Sequence, residues 1–167
     1  MTAVAIRPEE PGDEAAIHAL TQAAFRDMPF SDGSEPRIVD EMRASGDLAL
    51  SLVAVNLDEA IIGHIAFSRV RIADGTGGWY ALGPVSVMPS AQKGGIGAAL
   101  VERGLADIRA TGARGCVLLG DPEYYERFGF SPDPLLTYRD SPAGYFQQLT
   151  FEGATPRGEV SYPPAFG

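Results

Sequence analysis

Residues 79 to 120, "WYALGPVSVMPSAQKGGIGAALVERGLADIRATGARGCVLLG", constrain the fold more tightly than any other stretch of the chain. "WYALGPVSVMP" reads as a strand, with Gly83-Pro84 marking a bulge or bend. A helix follows through about Ala110. "CVLLG" is short and apolar throughout, the pattern of a central strand covered on both faces. Strand, helix and strand in that order form a crossover unit, so the two strands lie parallel. The helix opens among Gly94, Gly95 and Gly97, although glycine inside a helix costs roughly 1 kcal/mol relative to alanine. A helix N-terminus leaves amides unpaired and carries partial positive charge, so it attracts anions. Glycines clear the side chains away and let a large anion reach the backbone itself. Lys93 adds a mobile positive charge there.

Around this unit the chain reads as a mixed α/β domain over residues 1–167. "AVAIRP" is a first strand. "GDEAAIHALTQAAF" is a helix with Asp13 as its cap. "SEPRIVDEMRASG" is a second, with Ser34 as cap, Pro36 in its first turn and Gly46 as its stop. "LALSLVAVN" and "IIGHIAFSRVRI" form a hairpin, and "WYALGPVSVMP" continues the meander. After the crossover, "DPEYYERFGF" is a short helix from Pro122 to Gly129. "LLTY", "YFQQLTF" and a weaker "EVSYPPAFG" complete the strands. The central sheet is therefore mostly antiparallel, with one parallel pair.

Composition narrows the function. A formal net charge of -9 argues against a nucleic-acid partner, which wants a basic face, and is compatible with a cationic substrate. No apolar run approaches the roughly 18 residues of a membrane span. "TAVAIRPEEPGDEAAI" has neither a basic n-region nor an apolar h-region, so no secretory leader is expected. One cysteine, Cys116, excludes an intrachain disulfide and a cysteine-based zinc cluster, and two histidines make a dedicated metal site an unattractive reading. The expected compartment is the reducing cytoplasm.

Three phosphate-binding patterns compete for the glycine segment. A P-loop is rejected, because no Lys-Ser or Lys-Thr pair exists there. A dinucleotide fingerprint would use Gly95 and Gly97 but finds Leu100 in its last place. The third is Gln92-x-x-Gly95-x-Gly97 after a strand ending at Pro89. Here the chain resembles the Gcn5-related N-acetyltransferase superfamily, whose signature is Gln/Arg-x-x-Gly-x-Gly/Ala at the head of the helix after the fourth strand. Downstream, "YYERFGF" resembles that superfamily's aromatic-Tyr-x-Lys/Arg-x-Gly-Phe element. The likeness runs from Ala5 to about Tyr138, and within the superfamily it points to small bacterial acetyltransferases.

The resemblance implies the acyl-CoA N-acyltransferase fold, with its parallel fourth and fifth strands splayed around acetyl-CoA. By position, the amides of Gln92, Lys93, Gly94, Gly95, Ile96, Gly97 and Ala98 would hold the pyrophosphate. The strand edge at Val85, Ser86 and Val87 would pair with the pantetheine arm as an added strand would. The amide near Val87 would polarise the thioester carbonyl. An amine would attack directly, in a ternary complex. Tyr125 would protonate the departing thiolate, with Tyr124 as a packing aromatic and rival. A lysine-like amine is neutral only about once in a thousand molecules at pH 7.4, so it wants a base. Glu35 is the candidate through water, against a plain first-turn role on the helix dipole. Asp121 is a second candidate that reads equally well as a cap.

Other reactive side chains read as structural. His64 reads as a satisfied histidine in a strand, His18 as exposed on a helix and Cys116 as a buried, inert thiol. Arg127 reaches a CoA phosphate or pairs on the surface. The partner implied is a small-molecule or peptide amine; dimers are common in the superfamily, which leaves a homodimer open. The rival functions are an acyl-CoA sensor without transfer activity and a nicotinamide-binding domain.

Overall fold

The computed structural model describes residues 3–167, so Met1 and Thr2 of the expected 1–167 domain lie outside the described residues. The strands are β1 (Val4–Pro8), β2 (Leu48–Asn56), β3 (Ile61–Arg69), β4 (Arg71–Ile72), β5 (Trp79–Val87), β6 (Gly115–Leu119), β7 (Leu136–Thr137), β8 (Phe146–Thr150) and β9 (Gly158–Ser161). The helices are α1 (Glu14–Phe25), α2 (Glu35–Ser45), α3 (Ile96–Ala110) and α4 (Pro122–Tyr125), the last running on as a 3-10 turn to Phe128. Six strands form the main sheet in the order β1-β2-β3-β5-β6-β8, in which β5 and β6 are the parallel pair. This is the mixed, mostly antiparallel sheet with a βαβ unit expected of the chain.

Three local expectations are corrected. "IIGHIAFSRVRI" is not one strand: it breaks at Val70, and β4 leaves the main sheet to pair with β9, which also pairs with β7. The last strands thus build a second small sheet. Neither Asp13 nor Ser34 caps its helix through its side chain. The Asp13 carboxylate accepts from the Arg7 guanidinium at 2.8 Å instead, and the Ser34 hydroxyl donates to Asp32. Charged and short polar partners nearby outbid the helix amides. By contrast, Asp121 is a true cap, accepting from the Glu123 amide at 2.9 Å, and Gly46 ends α2 in the left-handed region.

The faces of the sheet are set by strand alternation. On β3 the odd positions face α3: a Cβ on Gly63 would stand 2.9 Å from Ile96, and Phe67 lies against Gly104. The even positions, His64, Ala66 and Ser68, face the other way. There Ala66 packs with Ile38 and Met42 of α2 and with Ala165 of the C-terminal turn. α1 also lies on that face, with Ile17 against Val53, and the small sheet covers its β6–β8 end, where Trp79, Ala81, Val117 and Phe146 pack with Tyr138 and Val160. The site is positioned by the two strands between these layers. The bulge expected at Gly83-Pro84 is present, as a register shift against β3 between Ile65 and Phe67.

Candidate acyl-CoA site

The parallel ladder between β5 and β6 is short. It joins Trp79, Ala81 and the residue between them to Gly115, Cys116 and Val117, and ends there. β5 continues to Val87 paired with β3 alone, while β6 turns to β8. Beyond Ala81 one edge of β5 is therefore open. The Met88 amide donates to Ile62 O at 2.9 Å, so Met88 bonds toward β3. Residues of an antiparallel strand alternate between bonding to the neighbour and facing away. Hence Ser86 also turns its main chain to β3, whereas Val85 and Val87 turn theirs to the open edge. The Val87 carbonyl there is taken by Gln92 Nε2 at 3.1 Å, which leaves its N–H.

The glycine segment stands at the end of this edge. Lys93 and Gly95 have φ of 67° and 84°, left-handed conformations that a glycine adopts without strain. The first main-chain bond of α3 runs from the Ala99 amide to Gly95 O at 3.0 Å. The amides of Ile96, Gly97 and Ala98 are thus outside the helical ladder and point out of its N-terminus. Gln92 differs from the expectation: its amide turns back to Pro89 O at 3.5 Å and its side chain laces the loop to β5. A cleft of about 500 Å³ opens here, lined by Val87, Gln92, Lys93, Gly95, Ile96, Gly97, Ala98, Tyr124 and Arg127 among others. Lys93 and Arg127 make it cationic in a chain of net charge -9. Its chemistry suits a polyanion with an apolar arm.

Ser86 is not on the cleft wall; its side chain is buried. Of the two tyrosines, Tyr124 lines the cleft: its hydroxyl would lie 3.6 Å from a Cβ on Gly97, and the Arg127 guanidinium stands 4.4 Å over its ring. Tyr125 packs deeper, edge-on to Tyr124 and Phe130, with Gly120 clearing space for its ring. Burial, with the charges of Tyr124 and Asp121, pushes its phenol up to about 12. Glu35 lies apart from the cleft, where its Oε1 accepts from the Ser31 hydroxyl at 2.6 Å inside the α1–α2 loop. Cys116 is fully buried, and burial raises its thiol. His18 is partly exposed, with Nδ1 2.6 Å from Asp40.

The sequence missed the surroundings of His64. This side chain is fully buried, and among the described residues only Nε2 has a partner, Ser51 Oγ at 2.8 Å. Burial lowers its pKa from 6.5 to about 4. An unfolded chain takes up that proton below about pH 6.5, whereas the folded one resists until about pH 4. The stability due to neutral His64 is therefore complete above pH 6.5 and is lost as pH falls toward 4, by about 3 kcal/mol. Urea unfolding across this window should show that slope, and His64→Gln should remove its share.

Residues 15–130 match the model of the acetyltransferase (GNAT) family. A GNAT family acetyltransferase of Brucella melitensis, solved in complex with acetyl-CoA, superposes with a TM-score of 0.89 at 48% identity over 100% of both chains. The N-acetyltransferase YhbS of Escherichia coli (strain K12) is 36% identical over 125 residues, 75% of this chain and 72% of the relative. The E. coli YhbS structure with CoA has a TM-score of 0.84 at 31% identity, covering 99% of this chain and 93% of that one. Mycothiol acetyltransferase of Streptomyces avermitilis is 34% identical over 137 residues, 77% of this chain but 43% of that protein. The chain belongs to the GNAT family of acetyltransferases. It is an acyltransferase, and its cosubstrate is acetyl-CoA.

Proposed function

We propose that this acetyltransferase moves the acetyl group onto a primary amine, of a small molecule or a peptide, by direct attack in a ternary complex. The observation that carries the reading is the β5 edge, open beyond Ala81, which ends at the free amides of α3. The pyrophosphate sits on the amides of Ile96, Gly97 and Ala98, with Lys93, Gly94 and Gly95 shaping the turn. The pantetheine arm pairs with the main chain of Val85 and Val87. The Val87 N–H faces the thioester carbonyl and stabilises the oxyanion as it forms.

Tyr125 serves the leaving group. A phenol near pKa 12 stays protonated at neutral pH. Giving its proton outright to a thiolate of pKa about 8.5 is uphill by about 5 kcal/mol. It therefore acts as a hydrogen-bond donor to the departing sulfur, and solvent completes the protonation. Glu35 supports a different role from the base expected of it, because its bond to Ser31 braces the α1–α2 loop. Glu35→Gln keeps an acceptor oxygen and is expected to keep the wild-type pH–rate profile; loss of the rate at low pH alone would return Glu35 to the chemistry.

The direct test is thiol release from acetyl-CoA in the presence of amines of different classes, with acetyl-CoA binding measured by calorimetry. Turnover with at least one amine class supports transfer. Tight binding with no turnover on any class would make the protein an acyl-CoA sensor instead.

A further inference from the structure

Gln147 of β8 is a buried amide among apolar neighbours. β8 lies antiparallel to β6, with Gln147 opposite Leu118 and Leu149 opposite Cys116. Side chains alternate along a strand. Phe146 packs with the small sheet, so Gln147 faces the α3 side, where Cys116, Leu118, Tyr125, Phe130 and Leu149 belong to one cluster. Gln147 is only 1% exposed. By burial alone an apolar side chain would suit that place, since an amide taken out of water is costly unless its hydrogen bonds are met. Nε2 meets them on one side: it donates to Gly120 O at 2.9 Å and to Tyr145 O at 3.4 Å. Oε1 has no partner among the described residues. With two carbonyl oxygens on the Nε2 side, the amide cannot turn over without setting acceptor against acceptor. Its donors hold the side chain there.

Those donors go to the residue that joins β6 to α4. Gly120 follows directly on β6, and its own amide donates to Tyr145 O at 3.0 Å. Both polar groups of Gly120 are therefore tied to β8, one by main chain and one by the Gln147 side chain. The Gly120 carbonyl shares a rigid peptide plane with Asp121. Asp121 in turn carries α4: its carboxylate accepts from the Glu123 amide at 2.9 Å and its carbonyl from the Tyr125 amide at 3.1 Å. Gly120 also lies against the Tyr125 ring, since a Cβ at 120 would stand 2.7 Å from Tyr125 Cε2. A rotation of that one peptide would move the ring and its hydroxyl together. We propose that Gln147 is a positioning residue for the reaction, which aims the Tyr125 hydroxyl at the departing sulfur by clamping the Gly120–Asp121 peptide. The proposal rests on the leaving-group role given to Tyr125 above. Gln147 does not line the cleft, so its effect reaches the reaction through Tyr125. A hydrogen-bond donor works only within a narrow range of distance and angle. Misplacing a reacting group by about 1 Å costs up to roughly a hundredfold in rate.

The test is a double-mutant cycle on the full chain, with the best amine from the thiol-release screen. Gln147→Leu fills the same space and removes the donors. Its kcat is expected to fall about tenfold, with acetyl-CoA affinity by calorimetry unchanged. In the Tyr125→Phe background, where the hydroxyl is already gone, the same substitution should cost less than about twofold, because residues that act as a unit are not additive. A packing role would cost the same factor in both backgrounds. Gln147→Glu supplies a second readout. A protonated carboxyl there can donate to Gly120 O, whereas a carboxylate can only set acceptor against acceptor. Burial raises the pKa of such a carboxyl. The rate relative to wild type should therefore hold at low pH and fall as pH rises, a slope that Gln147→Leu lacks. Should Gln147→Leu fail to fold, that slope decides alone, and a flat ratio overturns the clamp. Equal cost in the two backgrounds, or wild-type kcat in Gln147→Leu, overturns the clamp and leaves Tyr125 its role. Wild-type kcat in Tyr125→Phe overturns the leaving-group role and the clamp with it. Failure of the wild-type chain to acetylate any amine overturns the transfer reading and both.

Discussion

Gly97→Glu should abolish acetyl-CoA binding while leaving the fold as stable as before, or more so. Glutamate is a better helix former than glycine by roughly 0.5–1 kcal/mol, so α3 itself is not weakened. Position 97 has no left-handed φ to lose, and a Cβ there would meet its nearest neighbours, Tyr124 Oη and Val87 Cγ2, at an ordinary 3.6 Å. The rest of the side chain has only the cleft to enter. It fills the space above the free amides and sets a carboxylate against the incoming phosphates. Affinity should fall at least a hundredfold, equivalent to about 3 kcal/mol. Calorimetry with acetyl-CoA and thermal unfolding of the apo protein measure the two halves separately. Retained affinity would move the pyrophosphate away from α3.

Tyr125→Phe should lower kcat by about a hundredfold with little change in acetyl-CoA affinity. The phenol's contribution appears only as charge builds on the sulfur, so its removal raises the barrier without loosening the ground state. The ring itself is kept, and with it the packing against Phe130 and the space left by Gly120. Tyr124→Phe is the control. That hydroxyl belongs to the cleft wall beside Gly97, so its loss should register in acetyl-CoA affinity rather than in kcat. The reverse pattern would exchange the two tyrosines' roles.

Much of the architecture was legible because it is written in local chemistry. The crossover from Trp79 to Leu119 announces itself by three glycines, a helical period and an apolar run. Asp121, Pro122 and Gly129 mark a short helix by capping rules alone, and the structure keeps all three signals. The caps at Asp13 and Ser34 misled because Arg7 and Asp32 compete for those side chains, and Arg7 comes from a neighbouring strand. The break at Val70 was illegible for a similar reason. Apolar residues continue through it, but β4 finds a partner in β9, nearly ninety residues onward.

The site divides along the same line. A helix N-terminus stripped of side chains is a property of consecutive residues, so the open head of α3 could be read at Gly94, Gly95 and Gly97 from the chain alone. His64 could not be read in this way. Alone in an alternating strand it reads as a structural core residue, and the polar line it joins depends on Glu9, Ser51 and Arg43, which arrive from different elements. Tyr125 and Glu35 fall between these cases: sequence names the residue types, while packing sets what each can reach. Sequence by itself determined the crossover, the glycine-opened head of α3 and the family. Tertiary structure decided where the β5 edge opens, which main-chain groups face it and which buried polar atoms lie beside it. The first set depends on neighbours along the chain, whose geometry the backbone dictates. The second depends on strand register and on buried partners, which exist only after the sheet has closed over them.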